Sequence, residues 1–196
     1  MRLPRIKLKN EPATYHCMSR IVGGERLLGN REKSVMLKQL KAVSKFCGIE
    51  LFSYCIMSNH YHLLVLVPEK IELTKEDMYS KLLEYYGPRS IQLKRLDRQI
   101  QINGEMSDRD FERFKGLMGD ISSFQKLFKQ RFTIWYNYEN DRKGTLWMER
   151  FKSLLVENSD YSRLMVSNYI DLNPVRAGIV NDPADYMFSS YGEAVR

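Results

Sequence analysis

The chain has 196 residues, of which 43% are hydrophobic and 12% aromatic, and a formal charge of +7. That length suits one domain, burying roughly 70% of its unfolded surface without covalent staples, and the positive balance favours an acidic partner. Three cysteines without a C-x-x-C spacing (Cys17, Cys47, Cys55) argue against a disulfide framework or a zinc knuckle. They read as reduced core residues of a cytoplasmic protein.

The N-terminus, MRLPRIKLKNEP, is basic but carries no apolar h-region, so it does not read as a signal peptide. The longest aliphatic run, Leu63 to Val67, is far too short to span a bilayer. Ala13 to Val22 reads as a strand, followed by a turn at Gly23–Gly24. Arg31 to Cys47 reads as a helix, because Met36, Leu40, Val43 and Cys47 return to one face and Gly48 ends the pattern. Glu50 to Met57 predicts a second strand. Ser58–Asn59 predicts a two-residue turn, Asn59 being able to take positive φ, and His60 to Val67 the returning strand.

Residues 69–104 mix charges with apolar positions around Gly87–Pro88 and predict one or two short helices. The whole stretch 69–115 reads as a helical insertion. Ser107 with Asp110 resembles a capping box. Phe114, Met118, Ile121, Phe124, Phe128, Phe132 and Trp135 then mark one face of a long helix, although Gly116 and Gly119 weaken its first half. Asn137 to Gly144 reads as a polar loop and Phe151 to Glu157 as a short strand. A last helix runs from Ser159 to about Leu172, where Asn173–Pro174 is expected to stop it.

The order is β-α-β-β-α-β-α with extra helix before the fourth strand. This is the α+β, ferredoxin-like pattern: an antiparallel sheet with helices on one face, here forming one domain over residues 1–196. The fold hosts many functions and decides nothing by itself.

Two features carry chemistry. In "SNHYHLLVLVP" His60 and His62 stand two apart on a strand, so their imidazoles share a face while Tyr61 points the other way. Two imidazoles beside a core are costly unless their nitrogens are paired, and a shared metal ion would pair them. Two partly exposed, water-bonded histidines are the plain alternative, and two ligands are too few for tight zinc binding. In "SNYIDLNPVRAG" Tyr169 and Asn173 are four apart, one helical turn from each other. An amide oxygen can ligate a hard cation, and a phenol beside that cation can be a nucleophile. Yet Tyr161, Met165, Tyr169 and Leu172 also make an apolar stripe that would suit a core. Spacing alone does not prefer Tyr169 to Tyr136 or Tyr138 among the 12 tyrosines.

The H-x-H at the start of an apolar strand resembles the motif of HUH single-strand endonucleases. The segments "YHCMSR" (Tyr15 to Arg20), "GTLWMERFKS" (Gly144 to Ser153), "YIDLNPVRAGIV" (Tyr169 to Val180) and "DYMFSSY" (Asp185 to Tyr191) resemble the REP-associated tyrosine transposases in order, across residues 13–192. The resemblance implies that His60, His62 and Asn173 hold a divalent metal, Mg²⁺ or Mn²⁺. It implies that Tyr169, on the C-terminal helix, is the nucleophile forming a 5′-phosphotyrosine, and that the partner is single-stranded or hairpin DNA. Monomer and homodimer both fit.

For DNA contact the sequence offers Arg20, Lys126, Lys129, Arg131, Arg142, Lys143, Arg150 and Lys152, several interleaved with Phe132, Trp135, Tyr136, Tyr138 and Trp147. Phe132, Trp135 and Trp147 read better as core. The N-terminal RLPRIKLK could reach DNA beside a hairpin or be a plain basic tail. His16 reads as a strand residue near the site rather than a ligand. Two other functions compete: a non-catalytic hairpin-DNA-binding regulator derived from a transposase, and a metal-dependent hydrolase using water as nucleophile.

Overall fold

The computed structural model describes residues 6–8 and 10–196, so most of the basic stretch RLPRIKLK lies outside the described residues. Lys7 of that stretch is described, and its ammonium pairs with Asp120.

The fold is α+β. Among the described residues it comprises one four-stranded antiparallel sheet and eight helices. The strands are β1 (Ala13–Arg20), β2 (Glu50–Ile56), β3 (His60–Val67) and β4 (Lys152–Val156). Their order across the sheet is β2-β3-β1-β4, the ferredoxin-like arrangement. The helices are α1 (Asn30–Cys47), α2 (Lys75–Tyr86), α3 (Ile91–Asn103), α4 (Asp108–Lys115), α5 (Ile121–Glu139), α6 (Asp160–Asp171), α7 (Asn173–Arg176) and α8 (Ser190–Ala194).

Alternation along the strands divides the sheet into two faces. One presents Tyr15 and Cys17 from β1 with Tyr61, Leu63 and Val65 from β3, all buried. Helix α5 packs here. Phe128 meets Tyr61 edge to face with ring centroids 5.3 Å apart, and the Tyr61 hydroxyl donates to Gln125 Oε1 at 2.6 Å. Helix α1 packs alongside α5 and closes the core. Its end depends on glycine for two reasons. Gly48 takes φ +62°, and a Cβ there would lie 2.6 Å from Ile71 Cδ1.

The other face carries His16, Met18 and Arg20 from β1 beside Leu64, His62 and His60 of β3. Helix α6 lies over its β2–β3 side, so helices cover both faces and not one.

The structure corrects one expectation and refines two junctions. The long helix expected through Phe114 and Trp135 is two helices. Gly119 takes φ +58° between them and Asp120 caps α5, its Oδ1 accepting from Ser123 N at 2.7 Å. Helix α6 ends at Asp171 with Leu172 as its C-cap, as expected, and a separate short helix, α7, follows. Proline sits in the first turn of α7, where its missing N–H costs nothing. In the β2–β3 turn Asn59 does not adopt positive φ. The turn is stitched instead to residues 21–28: Ile21 N donates to Asn59 O at 2.8 Å and Leu28 N to Ser58 O at 2.9 Å.

Candidate nucleic-acid processing site

Strand alternation puts His60 and His62 on the α6 face of β3, and the antiparallel register sets Arg20 and Met18 opposite them. Helix α6 begins at a cap: Ser159 Oγ accepts from Ser162 N at 3.2 Å. It then crosses the sheet so that Tyr169, near its end, comes over the histidines. The Tyr169 ring lies edge-on to His16 and His62, with centroids 5.9 and 6.1 Å away.

Asn173 lies at the α6–α7 junction. Its Nδ2 donates to Tyr169 O at 2.9 Å and Ile170 O at 3.1 Å. Both partners are carbonyls, which only accept, so the amide orientation is fixed and Oδ1 is the end turned from them.

A cavity of about 440 Å³ collects these groups. His60 and His62 line it from β3, Met18, Ser19 and Arg20 from β1, and Tyr169 and Asn173 from the α6 side. Met148, Glu149, Arg150 and Lys152 close it from the approach to β4. Larger hollows exist, such as one of about 670 Å³ between α2 and α3, but that one brings no imidazole or basic side chain pair against a tyrosine.

The imidazoles are held neutral. Burial pulls His16 below its ordinary value, and burial with the Arg20 charge does the same to His60. His62 is depressed to about 3, by burial first and then by His16, His60 and Arg20. Neutral imidazole is the form that binds metal. His60 Nδ1 lies 2.6 Å from Asn59 Oδ1, and His62 Nδ1 lies 3.0 Å from His16 Nε2. In both residues Nε2 is the nitrogen outside these contacts. Among the described residues no group of three His, Cys, Asp or Glu side chains is placed to hold a metal. Two imidazoles with an amide oxygen therefore suit a hard divalent cation that takes its other ligands from water or phosphate, and not a closed structural zinc site.

The apolar stripe on α6 is not core. Tyr161, Met165 and Leu172 are exposed, and Tyr169 is 42% exposed; Ile170 is the buried residue of the helix. Tyr136 is buried in α5, and Tyr138 is exposed but does not line the cavity.

The basic residues divide. Arg20, Arg150 and Lys152 line the cavity, with Lys152 also 3.2 Å from Glu149. Lys129 donates to Ser19 Oγ at 2.8 Å and Glu149 O at 2.9 Å. Arg131 donates to Tyr85 O, and Arg142 to Thr145 O and Asn137 Oδ1. Lys126 and Lys143 are exposed and lie away from the cavity lining. Phe132 and Trp147 are buried, as expected, and Trp135 is partly buried.

Sequence reading missed two residues. Arg176 stacks its guanidinium 4.7 Å from the Tyr169 ring centroid. Its position seven residues after Tyr169, two helical turns, was the available signal. Asn59 was read as a turn residue and is also the partner of His60.

No family model matches the chain, and no curated protein matches it. Among solved structures, a REP-associated tyrosine transposase bound to a REP hairpin superposes with a TM-score of 0.62 at 17% identity, covering 100% of this chain and 85% of that one. A Deinococcus radiodurans protein provisionally assigned as a transposase aligns over 87% of this chain and 96% of its own, at 16% identity and a TM-score of 0.41. The first likeness establishes a shared fold. No helix among the described residues is long and apolar enough to cross a membrane.

Proposed function

We propose that this chain is a single-strand DNA endonuclease and transposase of the REP-associated tyrosine type, acting on hairpin-forming DNA. One observation carries the reading. Tyr169, His60, His62 and Asn173 come from β3, α6 and the α6–α7 junction, yet they line one cavity. The fold that assembles them is shared with a transposase solved on a REP hairpin.

His60, His62 and Asn173 would hold Mg²⁺ or Mn²⁺, which when bound supplies Lewis-acid polarisation of the scissile phosphate. Arg20 and Arg150 orient that phosphate and offset its charge. Tyr169 Oη attacks phosphorus in line. The Oη–P bond forms and the P–O3′ bond breaks, leaving a 5′-phosphotyrosine and a strand ending in a 3′-hydroxyl; the phenolic proton passes to solvent. Reversal by an incoming 3′-hydroxyl rejoins DNA and regenerates the phenol, so strand transfer needs no nucleotide hydrolysis. The exposure of Tyr169 suits a group that must meet a strand entering from solvent.

The test is a denaturing gel of protein with end-labelled single-stranded hairpin DNA from the flanks of its own gene, with Mn²⁺ or EDTA. A covalent band that needs Mn²⁺ and disappears in Tyr169→Phe is expected, with hairpin binding in a native gel unchanged. Tight hairpin binding without any covalent band would replace this reading by the non-catalytic regulator. Cleavage that survives Tyr169→Phe would replace it by the water-dependent hydrolase.

A further inference from the structure

We infer that Asn59 and His16 are positioning residues: each fixes the proton of one site histidine on Nδ1, so that the Nε2 lone pairs of His60 and His62 are both left for a ligand. The inference rests on the reading that this pair serves a divalent cation, and it assigns a task to two residues outside the ligand set.

The case for His60 follows from hydrogen-bond direction. Gly24 O can only accept, and Asn59 Nδ2 donates to it at 2.8 Å. That contact fixes which end of the Asn59 amide faces which way. Its other end, Oδ1, lies 2.6 Å from His60 Nδ1. An amide oxygen can only accept, so the proton between them belongs to Nδ1. Neutral His60 then has its lone pair on Nε2.

The carbonyl at the root of this chain is itself held in place. Residues Val22–Gly24 form a 3₁₀ turn in which Gly23 and Gly24 take φ +67° and +70°. Asn59 O in turn accepts from Ile21 N at 2.8 Å. Two glycines that read as a simple turn thus end in the tautomer of a histidine.

For His62 the partner is a second imidazole. His16 Nε2 and His62 Nδ1 are 3.0 Å apart and both residues are buried, so one nitrogen must donate. If His16 donated, neutral His62 would carry its proton on Nε2 and could not ligate. Donation by His62 leaves Nε2 open and makes His16 the acceptor. The ring planes are 29° apart with centroids 5.2 Å apart, a separation that fits two imidazoles meeting edge to edge through these nitrogens. Groups that orient ligands in this way are worth about 10- to 100-fold in metal affinity.

The first experiment reads tautomers directly. Long-range ¹⁵N–¹H correlation spectra of histidine-labelled, metal-free protein should show His60 and His62 with protonated Nδ1 and bare Nε2. The second reads Mn²⁺ affinity by calorimetry in the absence of DNA. Asn59→Ala should scramble the His60 tautomer and weaken Mn²⁺ by about tenfold or more. Asn59→Asp cannot donate to Gly24 O but still accepts from His60, so it should keep the tautomer and most of the affinity. His16→Gln, which retains an acceptor, should likewise outperform His16→Leu.

A wild-type His60 protonated on Nε2 would overturn the inference, as would Mn²⁺ affinity unchanged in Asn59→Ala. If Asn59→Asp fails as badly as Asn59→Ala while both fold, the residue merely holds the turn and the inference also falls. In each case wild-type Mn²⁺ binding and the covalent adduct still stand, leaving the proposed function intact. Wild-type protein that neither binds Mn²⁺ nor forms an adduct overturns both readings at once, before any substitution is made.

Discussion

At Tyr169 an exposed phenol sits between a guanidinium and two neutral imidazoles. Cation–π stacking of this kind is worth about 0.5–2 kcal/mol, or a factor of roughly two to thirty. Arg176→Ala is therefore expected to slow adduct formation by about that factor while hairpin affinity changes little, with Arg176→Lys in between because ammonium stacks less well than guanidinium. Single-turnover kinetics beside native gels would separate the two effects. The histidines make a second prediction at this scale. Unfolded, each titrates near its ordinary 6.5; folded, His62 titrates at about 3 and its two neighbours are also depressed. Between those values the unfolded chain binds protons that the native site refuses. Stability should hold above pH 6.5 and fall as pH drops toward 3. Urea midpoints measured across that window would show the slope, and His62→Gln should flatten it. The histidine pair was legible in the sequence because alternation on a strand leaves no choice of face. Spacing did not choose among the twelve tyrosines; the resemblance of the segment Tyr169 to Val180 to a family motif did, and tertiary packing shows Tyr169 standing over the imidazoles.

The element that carries Tyr169 is weakly packed by its own side chains. Helix α6 buries Ile170 and exposes most of its apolar stripe. What ties it down is Asp171, whose Oδ1 accepts from Ser190 Oγ at 2.9 Å and from Tyr191 N at 3.2 Å. Ser190 Oγ also lies 3.0 Å from Ser53 Oγ on β2, so the start of α8 clips α6 to the sheet. Burial raises the Asp171 carboxyl, which makes its remaining hydrogen bonds costly to lose. Asp171→Ala should cost about 1–3 kcal/mol, lowering Tm by several degrees, and should reduce adduct yield by more than its effect on hairpin binding. Ser190→Ala should do less, because the Tyr191 N–H still reaches the carboxylate. Thermal melts with the adduct gel would check the order. Nothing in the sequence around Ser190 announced this clip, since it joins residues far apart in the chain. The α4–α5 break was easier to misread. Phe114 and Phe128 face the same core, so the apolar rhythm runs on through the interruption, and only Gly119 and the Asp120 cap marked it. The break also has a use: Gly119 N donates to Cys47 O at 2.9 Å, satisfying a carbonyl at the end of α1.

Across the whole molecule, the strand and helix order was enough to give the ferredoxin-like pattern, because antiparallel strands joined by helices leave few topologies. The placement of charge was less accessible. A run of basic residues in sequence is not a basic surface, and three of them show the difference. Lys129, Arg131 and Arg142 donate to backbone acceptors of their own chain, Lys129 and Arg142 to the loop that follows α5 and Arg131 to the end of α2. Arg20 and Arg150, far apart in sequence, meet at the cavity. If the proposed DNA partner enters there, each phosphate neutralised contributes about one counterion to the salt dependence of binding. Arg150→Ala should then weaken hairpin binding and reduce the slope of log K against log salt by about one. Arg142→Ala removes a loop contact and should lower thermal stability while leaving that slope unchanged. Equal slopes for wild type and Arg150→Ala, in titrations from low to moderate salt, would move the DNA path off this cavity. It would then have to run over Lys126 or Lys143, exposed elsewhere on the molecule, and leave Tyr169 without a strand to attack.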